Sequence, residues 1–245
     1  MAAPRFFFPA AFTRDAVGQT IELPAAAAHH AVRVVRLAAG DGLTLFDGAG
    51  GEYAATLVRV LRNDVAVRID SFDPVERESP FAVTLAQAIV ANDAMDYAVR
   101  KAVELGVTAL QPLVTERSAP LPSGERGDKR LAHWRGIAVA ACEQCGRNRI
   151  PPVAAPVPWK AWLGAWKDAG MLLVPGVANP LAALPRPPPP VAIAIGPEGG
   201  FADREVAAAR VAGWQAVSLG PRVLRTETAA AAVVAAVQAL WGDWR

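Results

Sequence analysis

Cysteine is nearly missing from this chain of 245 residues, which carries two, Cys142 and Cys145. Their C-x-x-C spacing invites a metal or redox reading. A structural zinc site needs four ligands, however, and no second pair exists. The pair also falls inside an alanine-rich helical pattern, not in a loop after a strand. No metal is therefore expected, and two free thiols fit a reducing, cytoplasmic compartment. Long apolar runs are missing too: the longest, 229–237, falls well short of the roughly 20 residues that cross a bilayer, so no membrane partner is expected. Pro4 and Pro9 interrupt residues 1–12, which argues against a signal peptide. An excess of one charge is also absent. With a formal net charge of +2, bulk electrostatics alone do not argue for a nucleic-acid partner.

What the chain has is apolar residues, 53% hydrophobic against 20% charged, enough for a substantial core and too many for a disordered chain. Its length suits one large domain or two smaller ones. The most informative stretch is 191–229. Val191-Ala-Ile-Ala-Ile195 is short and apolar and stops abruptly at Gly196-Pro197-Glu198-Gly199-Gly200-Phe201. That is the pattern of a buried parallel strand ending at a loop. Asp203 can cap a following helix with Val206, Ala209 and Ala212 on its apolar face and Gly213 at its end. A second apolar run, 216–219, leads into a second loop at Gly220. Thr226 or Thr228 then caps a long alanine-rich helix toward Trp241. Two strand ends and two helix starts thus face one crevice, where open α/β sheets bind ligands. The glycine spacing is not the dinucleotide G-x-G-x-x-G, and no Lys-Ser/Thr follows to make a phosphate-binding P-loop. On these residues alone, the loops are either a backbone-lined ligand site or two tight turns between strand and helix.

Ahead of that stretch the chain changes rhythm once. Up to residue 73, short apolar runs (43–46, 53–60, 65–69) alternate with turn signals at Asp47-Gly48, Gly50-Gly51 and Asn63-Asp64, with one helical stretch at 25–37. Small β-barrels have this texture and often bind RNA. Arg5, Arg33 and Arg36 are candidate RNA contacts there, and His29 and His30 either meet RNA or cover a helix. Residues 74–80, polar and bounded by Pro74 and Pro80, are expected to be a linker. From 81 onward, strands (81–90, 109–114, 171–174) alternate with helices (93–105, 128–146, 159–166), the pattern of a parallel sheet with helices on both faces. The Pro/Gly/Ser loop at 118–127 is long enough to be functional. The proline run at 185–190 is a stiff lead into the strand at 191, and the tryptophans at 159–166 are spaced as core. Between 126 and 149, six basic residues (Arg126, Lys129, Arg130, Arg135, Arg147, Arg149) stand against two acids (Asp128, Glu143). They form either a local phosphate-binding patch or a solvated helix face.

The segment Ile195-Gly-Pro-Glu-Gly-Gly-Phe201, followed by Leu219-Gly-Pro-Arg-Val-Leu-Arg-Thr-Glu-Thr-Ala229, closely resembles the RsmE family, SPOUT-class methyltransferases of uridine N3 in small-subunit ribosomal RNA. The likeness continues in Glu104-Leu-Gly-Val107, Glu116-Arg-Ser118 and Glu143-Gln-Cys-Gly-Arg-Asn-Arg-Ile-Pro151. Near the start it appears in Arg5-Phe-Phe-Phe8, His29-His30, Arg33-Val-Val-Arg36 and Leu45-Phe-Asp-Gly48. These matches run in order over nearly the whole chain. The resemblance implies a PUA-like β-barrel RNA-binding domain over 1–73 and a SPOUT methyltransferase domain over 81–245. The latter would be an α/β fold whose parallel sheet carries a C-terminal trefoil knot, a feature otherwise almost absent from proteins. It also implies S-adenosyl-L-methionine as methyl donor, small ribosomal subunit RNA as substrate, and a homodimer with active sites at the subunit interface. Two positions depart from the family: Ala91-Asn92 stands where Lys-Gly is common, and Cys145 stands where serine is usual. If that lysine touches RNA, Arg100 or Lys101 would have to replace it.

The donor's sulfonium supplies the electrophile, so the protein needs neither metal nor covalent nucleophile. Three strand ends and two loops bring together the expected donor site: Val174, Gly176, Ile195, Gly196, Pro197, Gly199, Gly200, Leu219, Gly220, Leu224, Glu227, Thr228 and Ala229. Attack by N3 puts negative charge on the uracil ring, spread over its carbonyl oxygens. A guanidinium is a permanent cation with a planar fork of donors for such oxygens. Arg225, beside Thr226 at a helix start, is the leading catalytic candidate, with Glu198 and Arg147 behind it. Alternatively, Arg225 pairs with Glu198 or Glu227 and holds the loops together. Arg5, His30, Arg33, Arg36, Arg117, Arg147 and Arg149 are the expected RNA contacts. Two other functions compete: ribose 2′-O-methylation by the same class of fold, and non-catalytic RNA binding in ribosome assembly. The barrel and the 143–151 segment weigh against the first, and the intact glycines with Arg225-Thr226-Glu227 against the second.

Overall fold

The computed structural model describes residues 3–61, 64–120 and 124–244, and at Arg14 the backbone alone. Asn63 of the expected turn, and 121–123 of the expected 118–127 loop, lie outside the described residues. The chain forms two compact units: Met1–Glu78 with Cys142–Ile150, and Ser79–Ala141 with Pro151–Arg245.

The first unit is built on a five-stranded sheet. Its elements are β1 (Arg5–Phe7), β2 (Thr20–Glu22), helix α1 (Ala25–His29), β3 (Gly42–Phe46), β4 (Glu52–Leu61) and β5 (Asp64–Asp73). The strand order is β1-β3-β4-β5-β2, with β1 parallel to β3 and the other neighbours antiparallel. Along β4, Tyr53, Ala55 and Leu57 are buried while Ala54 and Val58 are exposed, the period-two signature of a sheet with one covered face. Phe6, Leu43, Leu45, Leu57, Val67 and Ile69 meet Ala27 and Ala31 in one core. The helical stretch expected at 25–37 is shorter than that. After α1 the chain makes a wider turn, with the Val35 N–H on the His30 carbonyl at 2.9 Å. It then stops at Arg36, whose φ of +66° is the left-handed stop normally taken by glycine.

The boundaries differ from the expected domains in two places, and one set of contacts accounts for both. Residues 74–78 are not a free linker, and 142–150 do not fold with the rest of 81–245. The Glu52 carboxylate takes Arg5 (2.5 Å) and Arg77 (2.8 Å). Arg5 also donates to Asn148 Oδ1 (2.6 Å), Arg77 to the Gly146 carbonyl (3.0 Å), and Asn148 Nδ2 to the Val75 carbonyl (2.7 Å). Glu143 accepts the Phe7 N–H (2.9 Å), Glu78 takes Arg147 (2.9 Å from Nε), and Glu76 takes Arg149 (2.8 Å). The 142–150 segment is thus pinned into the first unit by carboxylates and carbonyls distant from it in sequence. Cys142 belongs to this packing: it is fully buried, and burial pushes its thiol up to about 12.

The second unit has six strands, all parallel, in the order β11-β9-β10-β6-β7-β8. In chain order these are β6 (Val83–Ala88), α2 (Asn92–Glu104), β7 (Ala109–Val114), α3 (Glu125–Cys145, whose last turn belongs to the first unit), β8 (Val157–Pro158) and α4 (Trp159–Ala165). There follow β9 (Ala169–Leu173), β10 (Val191–Ile195), α5 (Asp203–Val211), β11 (Gln215–Val217) and α6 (Thr226–Trp241). Every residue of β6 and β10 is buried, as expected of parallel strands covered on both faces. One face presents Ala86, Leu172, Ala192 and Ala194 to Trp159, Leu163, Phe201 and Trp214. The tryptophans are therefore core, and Gly170 is obligatory there, since a Cβ would lie 2.2 Å from the Trp214 ring. The alternate residues of β6 face the other way, and Gln87 among them reaches Thr226 of α6. Among the described residues, no helix is long and apolar enough to cross a membrane.

Candidate functional site

At the carboxyl ends of β9 and β10, the second unit opens a cavity of about 690 Å³. That volume is in the ordinary range for small-molecule sites. Its walls are the strand ends (Leu173, Val174, Ile195), the loop 196–201, the loop 219–225 and the start of α6 (Thr226, Glu227, Ala229).

Each loop has its shape for a stated reason. Gly196 has no room for a side chain, because a Cβ would lie 3.0 Å from the Phe201 nitrogen and 3.1 Å from the Gly200 carbonyl carbon. Gly200 has free space but a φ of +69°, and its N–H closes a turn on the Pro197 carbonyl at 2.8 Å. Arg117 donates to the Gly199 carbonyl (2.8 Å) from outside. Asp203 is not the cap of α5. Ala202 holds that position, and its N–H is taken by Glu205 Oε2 at 2.9 Å. The other Glu205 oxygen accepts the Glu116 N–H at 3.0 Å. Nor does either threonine cap α6: Arg225 holds the N-cap position, and among the described residues it makes no side-chain capping bond. The Thr226 hydroxyl goes instead to the Gly196 carbonyl at 2.7 Å and ties the two loops together.

All the expected donor-site residues line this cavity except Gly176 and Thr228, both of which are exposed. Glu198 and Arg225 line it as well, at the exposed mouth. Among the described residues no ion pair joins Arg225 to Glu198 or Glu227, so its guanidinium is not tied down as a loop clamp. Arg147 does not line the cavity. It is 4% exposed and engaged by Glu78 in the first unit. Arg5, half-buried, is likewise engaged, held by Glu52 and Asn148. These two guanidiniums therefore do not present themselves to RNA or to the reacting base as expected. The other expected RNA contacts, His30, Arg33, Arg36, Arg117 and Arg149, are exposed; the His30 ring also stands edge-on to Phe6 at 5.5 Å, and Arg33 edges a second cavity of about 630 Å³ with His29 and Val32. The supposed patch at 126–149 is also partly consumed within the second unit: Arg130 bonds the Val90 carbonyl and Arg135 the Val153 carbonyl, each at 3.1 Å.

The lining residues outside the expected set include Ala94, Arg222 and Val223. The last two lie between Gly220 and Leu224, so continuity of the loop was the available signal. Ala94 enters from the first turn of α2, and no local pattern marks it.

Comparison with known proteins agrees with this geometry. Residues 77–238 match an RNA methyltransferase domain and residues 23–70 an RNA methyltransferase PUA domain. A ribosomal RNA small subunit methyltransferase E of Synechocystis is 37% identical over 90% of this chain and 73% of its own length. The protein of the same name from Buchnera aphidicola of Schizaphis graminum is 30% identical over 93% of each chain. Among solved structures, a ribosomal RNA small subunit methyltransferase E from Neisseria gonorrhoeae, bound to S-adenosyl methionine, superposes with a TM-score of 0.92 at 39% identity, covering 100% of both chains. A Legionella pneumophila protein in complex with bound cofactor SAM reaches 0.95 at 40% identity, covering 99% of this chain and 100% of its own. With both domains matched and the likeness running end to end, the chain belongs to the ribosomal RNA small subunit methyltransferase E family.

Proposed function

We propose that this protein transfers the methyl group of S-adenosyl-L-methionine to N3 of a specific uridine in 16S ribosomal RNA of the small subunit. The observation that carries the reading is the cavity at the ends of β9 and β10, walled by two Gly-Pro loops, with the Arg225 guanidinium at its mouth and no ion pair to it among the described residues. The residues fit such a donor. Leu173, Val174, Ile195, Leu219 and Leu224 offer apolar surface, and the glycine loops offer backbone groups. The uncapped first turn of α6 suits a carboxylate, and Glu198 and Glu227 suit cationic groups. When bound, S-adenosylmethionine supplies an electrophilic methyl group. The protein must then hold the uracil ring in line with it. Arg225, fixed beforehand where charge develops on the uracil oxygens, favours loss of the N3 proton and stabilises the anionic ring.

On this reading the first unit contributes RNA binding, through His30, Arg33, Arg36 and Arg149, and Arg117 adds a contact from the second. The five-stranded sheet closes as a small PUA-like barrel. The C-terminal segment is threaded as a trefoil knot, as the family resemblance implies. The protein works as a cytoplasmic homodimer, each active site completed at the subunit interface. The test is to incubate the protein with labelled S-adenosylmethionine and small ribosomal subunits, digest the RNA and identify the modified nucleoside. N3-methyluridine is expected. A 2′-O-methylated nucleoside would move the reaction to ribose, and no labelled RNA with competent subunits would leave an RNA-binding protein. Light scattering of an active sample tests the dimer, and a fully active monomer would refute it.

A further inference from the structure

We infer that Gln87 is a positioning residue of the methyl-donor site, acting through the Thr226 hydroxyl on the carbonyl of Gly196. The inference rests on the reading of the cavity as a donor site. Gln87 sits near the end of β6, in register with Ile195 on β10, the residue just before the first loop. It is 1% exposed in a strand that is otherwise almost wholly apolar. Its Nε2 donates to the Ala88 carbonyl (3.0 Å) and to Thr226 Oγ1 (3.0 Å). Thr226 has a single proton to give, and it goes to the Gly196 carbonyl at 2.7 Å. The chemistry fixes the direction of this relay. The Gly196 and Ala88 carbonyls only accept, so the amide nitrogen must face Ala88 and the hydroxyl proton must face Gly196.

The cost of the arrangement is visible as well. Gln87 Oε1 is buried and finds no donor among the described residues. An unpaired buried acceptor destabilises, and an apolar side chain would serve the strand better. What the position gains from glutamine is donation to Thr226. Through it, the neighbouring strand sets the Gly196–Pro197 peptide, from which the wall of the cavity starts. Thr226 lines that cavity, whereas Gln87 does not, so Gln87 reaches the donor only through Thr226.

The experiment is calorimetry with S-adenosylmethionine on the full chain, with melting temperatures in parallel. Thr226→Val should weaken binding about tenfold, the scale of one hydrogen bond. Thr226→Ser, which restores the hydroxyl, should return to within about twofold of wild type. Gln87→Leu should weaken binding comparably while its melting temperature holds or rises, because the orphaned acceptor is gone. The double variant Gln87→Leu/Thr226→Val should bind like Thr226→Val alone. Unchanged affinity in Gln87→Leu, or additive losses in the double variant, overturns the relay. So does a loss in Thr226→Val that serine does not rescue, a comparison that stands even if Gln87→Leu fails to fold. Absence of binding in the wild type would instead remove the donor-site reading itself.

Discussion

Replacing Arg225 with alanine separates catalysis from architecture at this site. The side chain is exposed, lines the cavity and makes no ion pair among the described residues. Its position at the N-cap of α6 uses backbone alone, with no side-chain bond to the helix. Truncation therefore leaves no cavity and no orphaned partner. The stability change should stay within about 0.5 kcal/mol, which for a chain of this size moves the melting temperature by no more than about 2 °C. Donor affinity by calorimetry should stay near wild type for the same reason. Turnover on small subunits should fall by roughly 10²–10³, the scale of one donor removed from developing negative charge, or about 3–4 kcal/mol. Arg225→Lys keeps the charge but loses the planar fork, so it should recover only part of the rate. Single-turnover methyl transfer at saturating donor is the assay. Near-normal turnover in Arg225→Ala would remove the residue from the mechanism. Parallel losses of melting temperature, donor affinity and rate would assign it to holding the loops.

Other perturbations probe the two units separately. Arg77 beside Glu52, with Arg5, holds that carboxyl down to about 2 from 4.5 against the opposing effect of burial. A depressed carboxylate contributes stability that is fully present above its unfolded value. That contribution should fade as pH falls from about 4.5 toward 2, and thermal melts of Glu52→Gln should lack this acid-dependent part. Cys142, with its thiol raised to about 12 and buried, should resist maleimide at pH 8 in the native protein and react once it unfolds; equal native labelling of Cys142 and Cys145 would contradict its burial. At the first loop, Gly196→Ala forces backbone apart and Gly200→Val puts a branched residue at a φ of +69°, costing about 1–2 kcal/mol in conformation. Both should reduce donor affinity in calorimetry at least tenfold, and unchanged affinity in either would displace the loop from the site.

The readable parts of this fold were those set by neighbours in sequence. The strands at 109–114 and 191–195 have the limits their apolar runs predict, and Pro190 and Gly196 bound the second locally. The two loops of the cavity carry the same kind of signal, which is why most of its wall was legible. The capping assignments failed because a hydroxyl goes where the best acceptor is. Thr226 finds the Gly196 carbonyl, and Glu205 reaches back to Ala202 while Asp203 takes no capping role. The basic count over 126–149 failed for a related reason. Formal charge along a chain says nothing of the carboxylates that folding brings from far along it, as Glu78 is brought to Arg147 from 69 residues away. A cation is available to phosphate or to a developing oxyanion only after those partners have been counted. For Arg5 and Arg147 the count leaves no guanidinium for a ligand. Arg222 and Arg225 at the cavity mouth have no carboxylate partner among the described residues, a difference invisible in composition, and it is the reason the proposed mechanism turns to the second Gly-Pro loop.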